Sequence, residues 1–254
     1  MYPTLCRLGP LTISTYGVLV ALAFLLVVGL TRRVSRRAPK GLFPMDEVAV
    51  VDWAVWTVVG GLVGGRLVYV LLNWDVYARA PLEIFALWHG GLVWYGGFLG
   101  GLLATWLYLR RRGITFLRGA DQLIPAIPFG HAVGRLGCFA NGCCYGLPTS
   151  AWFGVQFPSI PGRVIPTQLI ESAALAGLYL ALRSLQRPAV LRRPGALFGL
   201  YLIGYGLIRW TVELWRANQP IVWGHMTLSQ VISTALAVAG LRLIIRQRWH
   251  APMS

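Results

Sequence analysis

The chain has 254 residues, of which 56% are hydrophobic and only 12% charged, with a formal net charge of +15. Soluble domains carry about 25% charged residues, so this composition excludes an ordinary soluble enzyme and requires lipid around much of the surface. The positive balance is not a nucleic-acid footprint: apart from Lys40 it is all arginine, clustered between apolar runs, a pattern that sets membrane topology and meets anionic headgroups.

Seven apolar segments are expected as spanning helices, each needing about 20 residues, at roughly 11–30, 48–72, 91–109, 123–144, 165–185, 196–215 and 226–245. The first carries Tyr16 and is followed by Arg32, Arg33, Arg36, Arg37 and Lys40. Basic residues after the apolar run argue against a cleaved signal. The second contains Asp52 and Arg66. It also holds Gly60, Gly61, Gly64 and Gly65, while the third holds Tyr95, Gly96, Gly97, Gly100 and Gly101. Both show the small-residue spacing that brings helices close. The third segment is followed by Arg110, Arg111, Arg112 and Arg118.

The fourth segment contains Pro125 and Pro128 and ends in GRLGCFANGCCYG, 134–146. A broken helix is expected there, tolerated where it lines a cavity or packs in protein. The fifth segment carries Glu171 and is followed by Arg187, Arg192 and Arg193. The sixth carries Tyr205, Arg209 and Glu213, and the seventh precedes Arg246 and Arg248. The intervening loops hold single arginines: Arg79, Arg163 and Arg216. By the positive-inside rule the N-terminus lies outside and the C-terminus in the cytoplasm. The fold class is therefore an all-α polytopic membrane protein, one integral membrane domain of about seven helices. The 134–146 motif then falls at the outer end of the fourth segment.

Ionisable groups in a span cost ~2.5–3.5 kcal/mol each at its centre. Tyr205, Arg209 and Glu213 recur every four residues and share a helix face. If Glu213 pairs with Arg209, Arg135 is left seeking an anion, and in a membrane the available anion is a phospholipid phosphate. Arginine suits it through a planar fork of donors and a permanent charge. Tyr16 and Tyr95 sit at outer helix ends, where tyrosine is common without a function. Asn141 either orients a substrate or caps a turn beside Gly142. Gly134, Gly137, Gly142 and Gly146 suggest tight turns or close approach to a ligand. Cys138, Cys143 and Cys144 follow neither redox CxxC spacing nor the paired spacing of a zinc site. A disulfide and buried thiol packing both remain open for them. No metal and no cofactor is expected.

The motif GRLGCFANGCCYG resembles the signature of the prolipoprotein diacylglyceryl transferase family, usually G-R-x-G-N-F-x-N-G-E-x-x-G. Tyr16-Gly17 resembles the family's Tyr-Gly, and LVWYGGFLGG, 92–101, its His-Gly-Gly region. RVIPTQLIES, 163–172, is similar to its Arg-His-Pro-Ser-Gln-Leu-Tyr-Glu. LFGLYLIGYGLIRWTVELWR, 197–216, and MTLSQVIS, 226–233, resemble its last two helices. The family's signature Asn is Cys138 here, its signature Glu is Cys143, and the His of its His-Gly-Gly region is Tyr95.

The resemblance implies a seven-span transferase of the bacterial inner membrane, acting as a monomer at the periplasmic leaflet. Its substrates would be phosphatidylglycerol and the lipobox cysteine in the signal peptide of a prolipoprotein. It implies that Arg135 and Arg209 contact the lipid phosphate and that Tyr205 and Tyr16 shape the lipid site. Asn141 and Gly146 would hold the signature loop, Glu213 and Arg216 would support the sixth segment, and Tyr95 would be the positional candidate for the proton acceptor, with the phosphate oxygen and Glu213 as alternatives. Two other readings stay open at this point: a membrane thiol oxidoreductase using Cys138, Cys143 and Cys144, and a non-catalytic phosphatidylglycerol-binding paralogue.

Overall fold

The computed structural model describes residues 4–8, 11–86, 90–158, 160–217 and 219–249. It is mostly helical. The principal helices are α1 (Thr15–Arg37), α2 (Glu47–Leu72), α3 (Trp94–Arg111), α4 (Phe116–Leu123), α5 (Ile127–Asn141), α6 (Thr167–Ser184), α7 (Ala196–Glu213) and α8 (Leu228–Trp249). Among the described residues, four stretches are long and apolar enough to cross a membrane: Thr15–Arg37, Glu47–Leu72, Phe116–Asn141 and Leu228–Arg246. Large apolar side chains such as Val55, Val59, Val63 and Leu67 of α2 are exposed. In water such a surface has no purpose; in lipid it costs nothing.

Among the described residues, the all-α expectation misses three short antiparallel hairpins. They pair Thr4–Leu8 with Leu11–Ser14, Val155–Gln156 with Arg163–Val164, and Ile221–Trp223 with Met226–Thr227. Each is too short to leave a hydropathy period.

The chain forms two compact units. One comprises the described residues up to Thr31 and from Ala120 onward; the other is Arg32–Gly119. In the second unit, α2 and α3 pack with their glycines facing. A Cβ at Gly60 would stand 2.8 Å from the Gly100 carbonyl oxygen, and one at Gly64 would stand 2.8 Å from Gly100 Cα. Such contact is possible only without side chains. It also brings polar groups into register. Trp53 Nε1 donates to Thr105 Oγ1 (3.0 Å), and the buried Tyr108 hydroxyl donates to the Ala49 carbonyl (2.8 Å). Asp52 pairs with Arg112 at 3.1 Å across an exposed edge.

Arg66 solves its burial differently. Its guanidinium donates to the carbonyls of Glu83, Ile84 (2.8 Å), Gly90 (2.7 Å) and Gly91 (3.2 Å). The rings of Tyr69 and Tyr77 lie 5.7 and 5.2 Å from its central carbon. Carbonyl dipoles replace the water that the charge has lost, so no acidic partner is needed to order this loop.

In the first unit the prolines break the chain as expected. α4 stops at Leu123, a single 3-10 turn (Ile124–Ala126) carries Pro125, and α5 starts with Pro128 in its first turn. Pro lacks the N–H that a continuous helix needs, but a first turn does not use it. The Asp121 carboxylate, just before this break, accepts the Gly195 and Phe198 backbone N–H groups at the start of α7. α7 and α8 pack closely, with Gly206 facing the Ser233 carbonyl. Thr227 and Gln230 cap α8 reciprocally: Gln230 Oε1 accepts from Thr227 N (3.0 Å), and Thr227 Oγ1 accepts from Gln230 N (3.3 Å).

Gly64→Val should overpack the α2–α3 contact at a cost of about 1–3 kcal/mol. Gly29→Ala, where nothing lies within 4 Å of the new methyl, should be neutral. Thermal unfolding in detergent, followed by tryptophan fluorescence, compares the two.

Candidate functional site

The site assembles in the first unit from three helices and the loop that follows α5. His131, Arg135 and Cys138 fall at i, i+4 and i+7 on α5, so they line one face. Thr167, Gln168, Glu171 and Ser172 form a buried polar face on α6. Tyr205, Arg209 and Glu213 share one face of α7, where both charged residues are buried. Ser172 Oγ donates to the Ala132 carbonyl (2.9 Å), fixing α6 against α5.

The expectation that Arg135 has no acidic partner is not met. Its Nη2 pairs with Glu171 Oε1 at 2.9 Å, and Glu171 is almost wholly buried. Arg209 Nη2 pairs with Glu213 Oε2 at 2.7 Å along the helix and also donates to Ser229 Oγ at 2.9 Å. Thr227 Oγ1 donates to Glu213 Oε1 (2.8 Å). Each buried guanidinium thus has a counter-charge, and each keeps a spare donor. Arg135 Nε, Arg209 Nη1 and Arg216 Nε are buried and make no hydrogen bond. Buried donors without partners are costly and rare. Three guanidiniums share two carboxylates, so the cluster has both the donors and the charge to receive an anion.

His131 and Tyr205 lie within Coulombic range of both Arg135 and Arg209. The rings of His131 and Tyr205 are 5.4 Å apart, and Tyr205 stacks on Tyr201 at 5.8 Å. His131 escapes sequence reasoning because it lies outside the signature; its position four residues before Arg135 was the available signal.

The signature loop is tied at both ends. Gly142 closes α5 in the left-handed conformation (φ 73°), so the helix cap is glycine and Asn141 stays exposed. Gln168 Nε2 donates to the Cys143 carbonyl (2.6 Å) and Thr167 Oγ1 to the Cys144 carbonyl (2.8 Å). Neither Thr167 nor Gln168 stood out as a site residue from sequence. Gly146 donates its N–H to the Ile165 carbonyl (2.9 Å) and bridges to Arg216. A Cβ on Gly146 would be 2.5 Å from the Trp215 carbonyl oxygen. The loop thus fixes Arg216 beside the signature.

Tyr16, at the start of α1, touches this region: a Cβ on Gly137 would be 3.2 Å from Tyr16 Cδ2. Tyr95 belongs to the second unit. It is exposed in the first turn of α3, with its ring edge-on to Trp94 at 5.2 Å.

A family model for prolipoprotein diacylglyceryl transferase matches residues 3–246. Several curated proteins named phosphatidylglycerol–prolipoprotein diacylglyceryl transferase are similar along most of the chain. The protein from Synechococcus elongatus is 37% identical, covering 95% of this chain and 86% of the relative. That from Nitratidesulfovibrio vulgaris is 36% identical, covering 98% and 95%. That from Nitrosospira multiformis is 35% identical, covering 99% and 89%.

Glu171→Ala should leave the Arg135 charge buried and unpaired, destabilising the protein by about 3–5 kcal/mol. Glu171→Gln, which keeps an acceptor oxygen, should cost less. Thermal unfolding of the two variants in detergent gives the order.

Proposed function

The chain belongs to the prolipoprotein diacylglyceryl transferase family, and from that premise we propose how its residues divide the work. It is a phosphatidylglycerol–prolipoprotein diacylglyceryl transferase of the bacterial inner membrane. It moves the diacylglyceryl group of phosphatidylglycerol to the lipobox cysteine of a prolipoprotein and releases glycerol 1-phosphate. The thiolate sulfur attacks the glycerol carbon that bears the phosphate. The S–C bond forms, the C–O bond breaks, and the electron pair goes to the phosphate oxygen.

The observation that carries the assignment of roles is the set of unpartnered donors on Arg135, Arg209 and Arg216. Arg135 and Arg209 bind the lipid phosphate and stabilise the charge that grows on its leaving oxygen. Glu171 and Glu213 hold these guanidiniums oriented before the lipid arrives, so little reorganisation is needed during reaction. Tyr205 and Tyr16 shape the lipid site. Gly146 keeps the signature loop close to Arg216, and Asn141, exposed at the end of α5, is assigned to contact substrate. Tyr95 occupies the family's histidine position by sequence. It is the positional candidate for the proton acceptor, with the lipid phosphate oxygen and Glu213 as the other candidates.

All seven long apolar stretches are proposed to span the membrane, with the N-terminus outside and the signature loop at the periplasmic leaflet. The alternating arginine clusters support this orientation. The monomer is proposed as the working unit, as the resemblance to the family implies.

The test combines purified protein, phosphatidylglycerol and a lipobox peptide, reading glycerol phosphate release and peptide mass. Arg209→Ala and Arg135→Ala should each lower transfer by about 100-fold or more. Undiminished transfer in both variants would refute the phosphate assignment.

A further inference from the structure

Three thiols converge where the family signature has an asparagine and a glutamate. The Sγ atoms of Cys138, Cys143 and Cys144 lie within 4.8 Å of one another, and all three residues are half-buried. The linear spacing hid this cluster, because the end of α5 makes it. Gly142 turns the chain, and the Cys143 N–H returns to the Cys138 carbonyl at 3.1 Å. Cys144 then takes φ 65°, the only positive φ at a non-glycine among the described residues. That conformation costs a side-chain-bearing residue roughly 1–2 kcal/mol. The cost is borne because Gln168 and Thr167 grip the two carbonyls that flank the Cys144 α-carbon. This strained residue carries its sulfur into a group with the other two, and strain of this kind concentrates at functional sites.

We propose that Cys138, Cys143 and Cys144 bind one Zn2+ as thiolates and leave its fourth position for the acceptor cysteine. The proposal rests on the transferase reading above. Three protein ligands with an open fourth position is the arrangement of catalytic zinc, and an all-sulfur set selects a soft or borderline ion. Tetrahedral Zn–S bonds of about 2.3 Å place sulfurs about 3.8 Å apart, a small contraction of the observed cluster.

Such an ion would itself take the acceptor thiol to its thiolate. A thiol that coordinates a metal is deprotonated outright. The acceptor cysteine binds zinc as a thiolate, and its proton passes to water. Three thiolates around a divalent ion make an anionic complex, so the bound sulfur stays electron-rich. Its lone pair attacks the glycerol carbon, the S–C bond forms, the C–O bond breaks, and the bonding pair leaves on the phosphate oxygen held by Arg135 and Arg209. Zinc keeps its oxidation state, and the thioether product, a poorer ligand than a thiolate, dissociates.

The experiment uses the full chain in detergent, isolated from zinc-replete cells. Elemental mass spectrometry should find about one zinc per chain, lost in Cys143→Ser and Cys144→Ser and retained in Arg209→Ala. Cobalt(II) exchange should produce sulfur-to-metal charge-transfer absorption in the parent and in Arg209→Ala. Because serine at these positions can disturb the fold, the unaltered protein is also stripped with a chelator. Its transfer rate should fall about 30-fold at pH 7, the thiolate deficit of a free cysteine with pKa near 8.5. Added zinc, or a rise to about pH 9, should restore it. Failure of the transferase reading looks different: no transfer at any pH in the metal-loaded parent. Four free thiols without zinc, or a disulfide found by thiol counting, overturns the proposal, as does bound zinc whose removal leaves transfer unchanged.

Discussion

Keeping arginine charged inside a membrane protein is the constraint on which the site depends. Arg135 and Arg209 are each stabilised by one carboxylate at hydrogen-bond distance, and Glu213 is held in turn by Thr227. An isolated ion would pay a desolvation cost of several kcal/mol. The pairs offset that cost without consuming every donor. A fully satisfied guanidinium would be a structural post, and an unpaired one would destabilise the fold. The observed halfway state suits the proposed role of receiving a phosphate and then releasing it.

Arg66 shows the alternative. It too is buried in an apolar helix, but its donors end on loop carbonyls and its faces lie against tyrosine rings. The same residue type therefore does two jobs. Where the partners are neutral dipoles at fixed positions, the arginine orders backbone. Where the partner is a single carboxylate and donors remain, it is ready for an anion. The inventory of hydrogen bonds separates the two, whereas hydropathy does not.

The cysteines show a second economy. The helix cap at Gly142, the left-handed Cys144 and the two side chains of α6 that grip its flanking carbonyls form one small device. The same α6 face supplies Glu171 to Arg135. One helix thus positions both the sulfur cluster and Arg135, so the groups proposed to meet the acceptor and the leaving group share a common support.

Much was legible in the linear chain because lipid imposes simple rules. Surplus apolar residues, arginine clusters between them and prolines in the fourth segment read directly as membrane helices and a break, since backbone in hydrocarbon must satisfy its own hydrogen bonds. The four-residue recurrence of Tyr205, Arg209 and Glu213 revealed one face and one ion pair, because both lie on a single helix. Pairings between helices were not legible. Glu171 with Arg135, Gln168 with the Cys143 carbonyl and the approach of three sulfurs join residues whose separation in sequence obeys no period. Packing of α5 against α6 and the turn at Gly142 bring them together, so only the tertiary structure decided which arginine was paired, which donors stayed open and where the thiols converged.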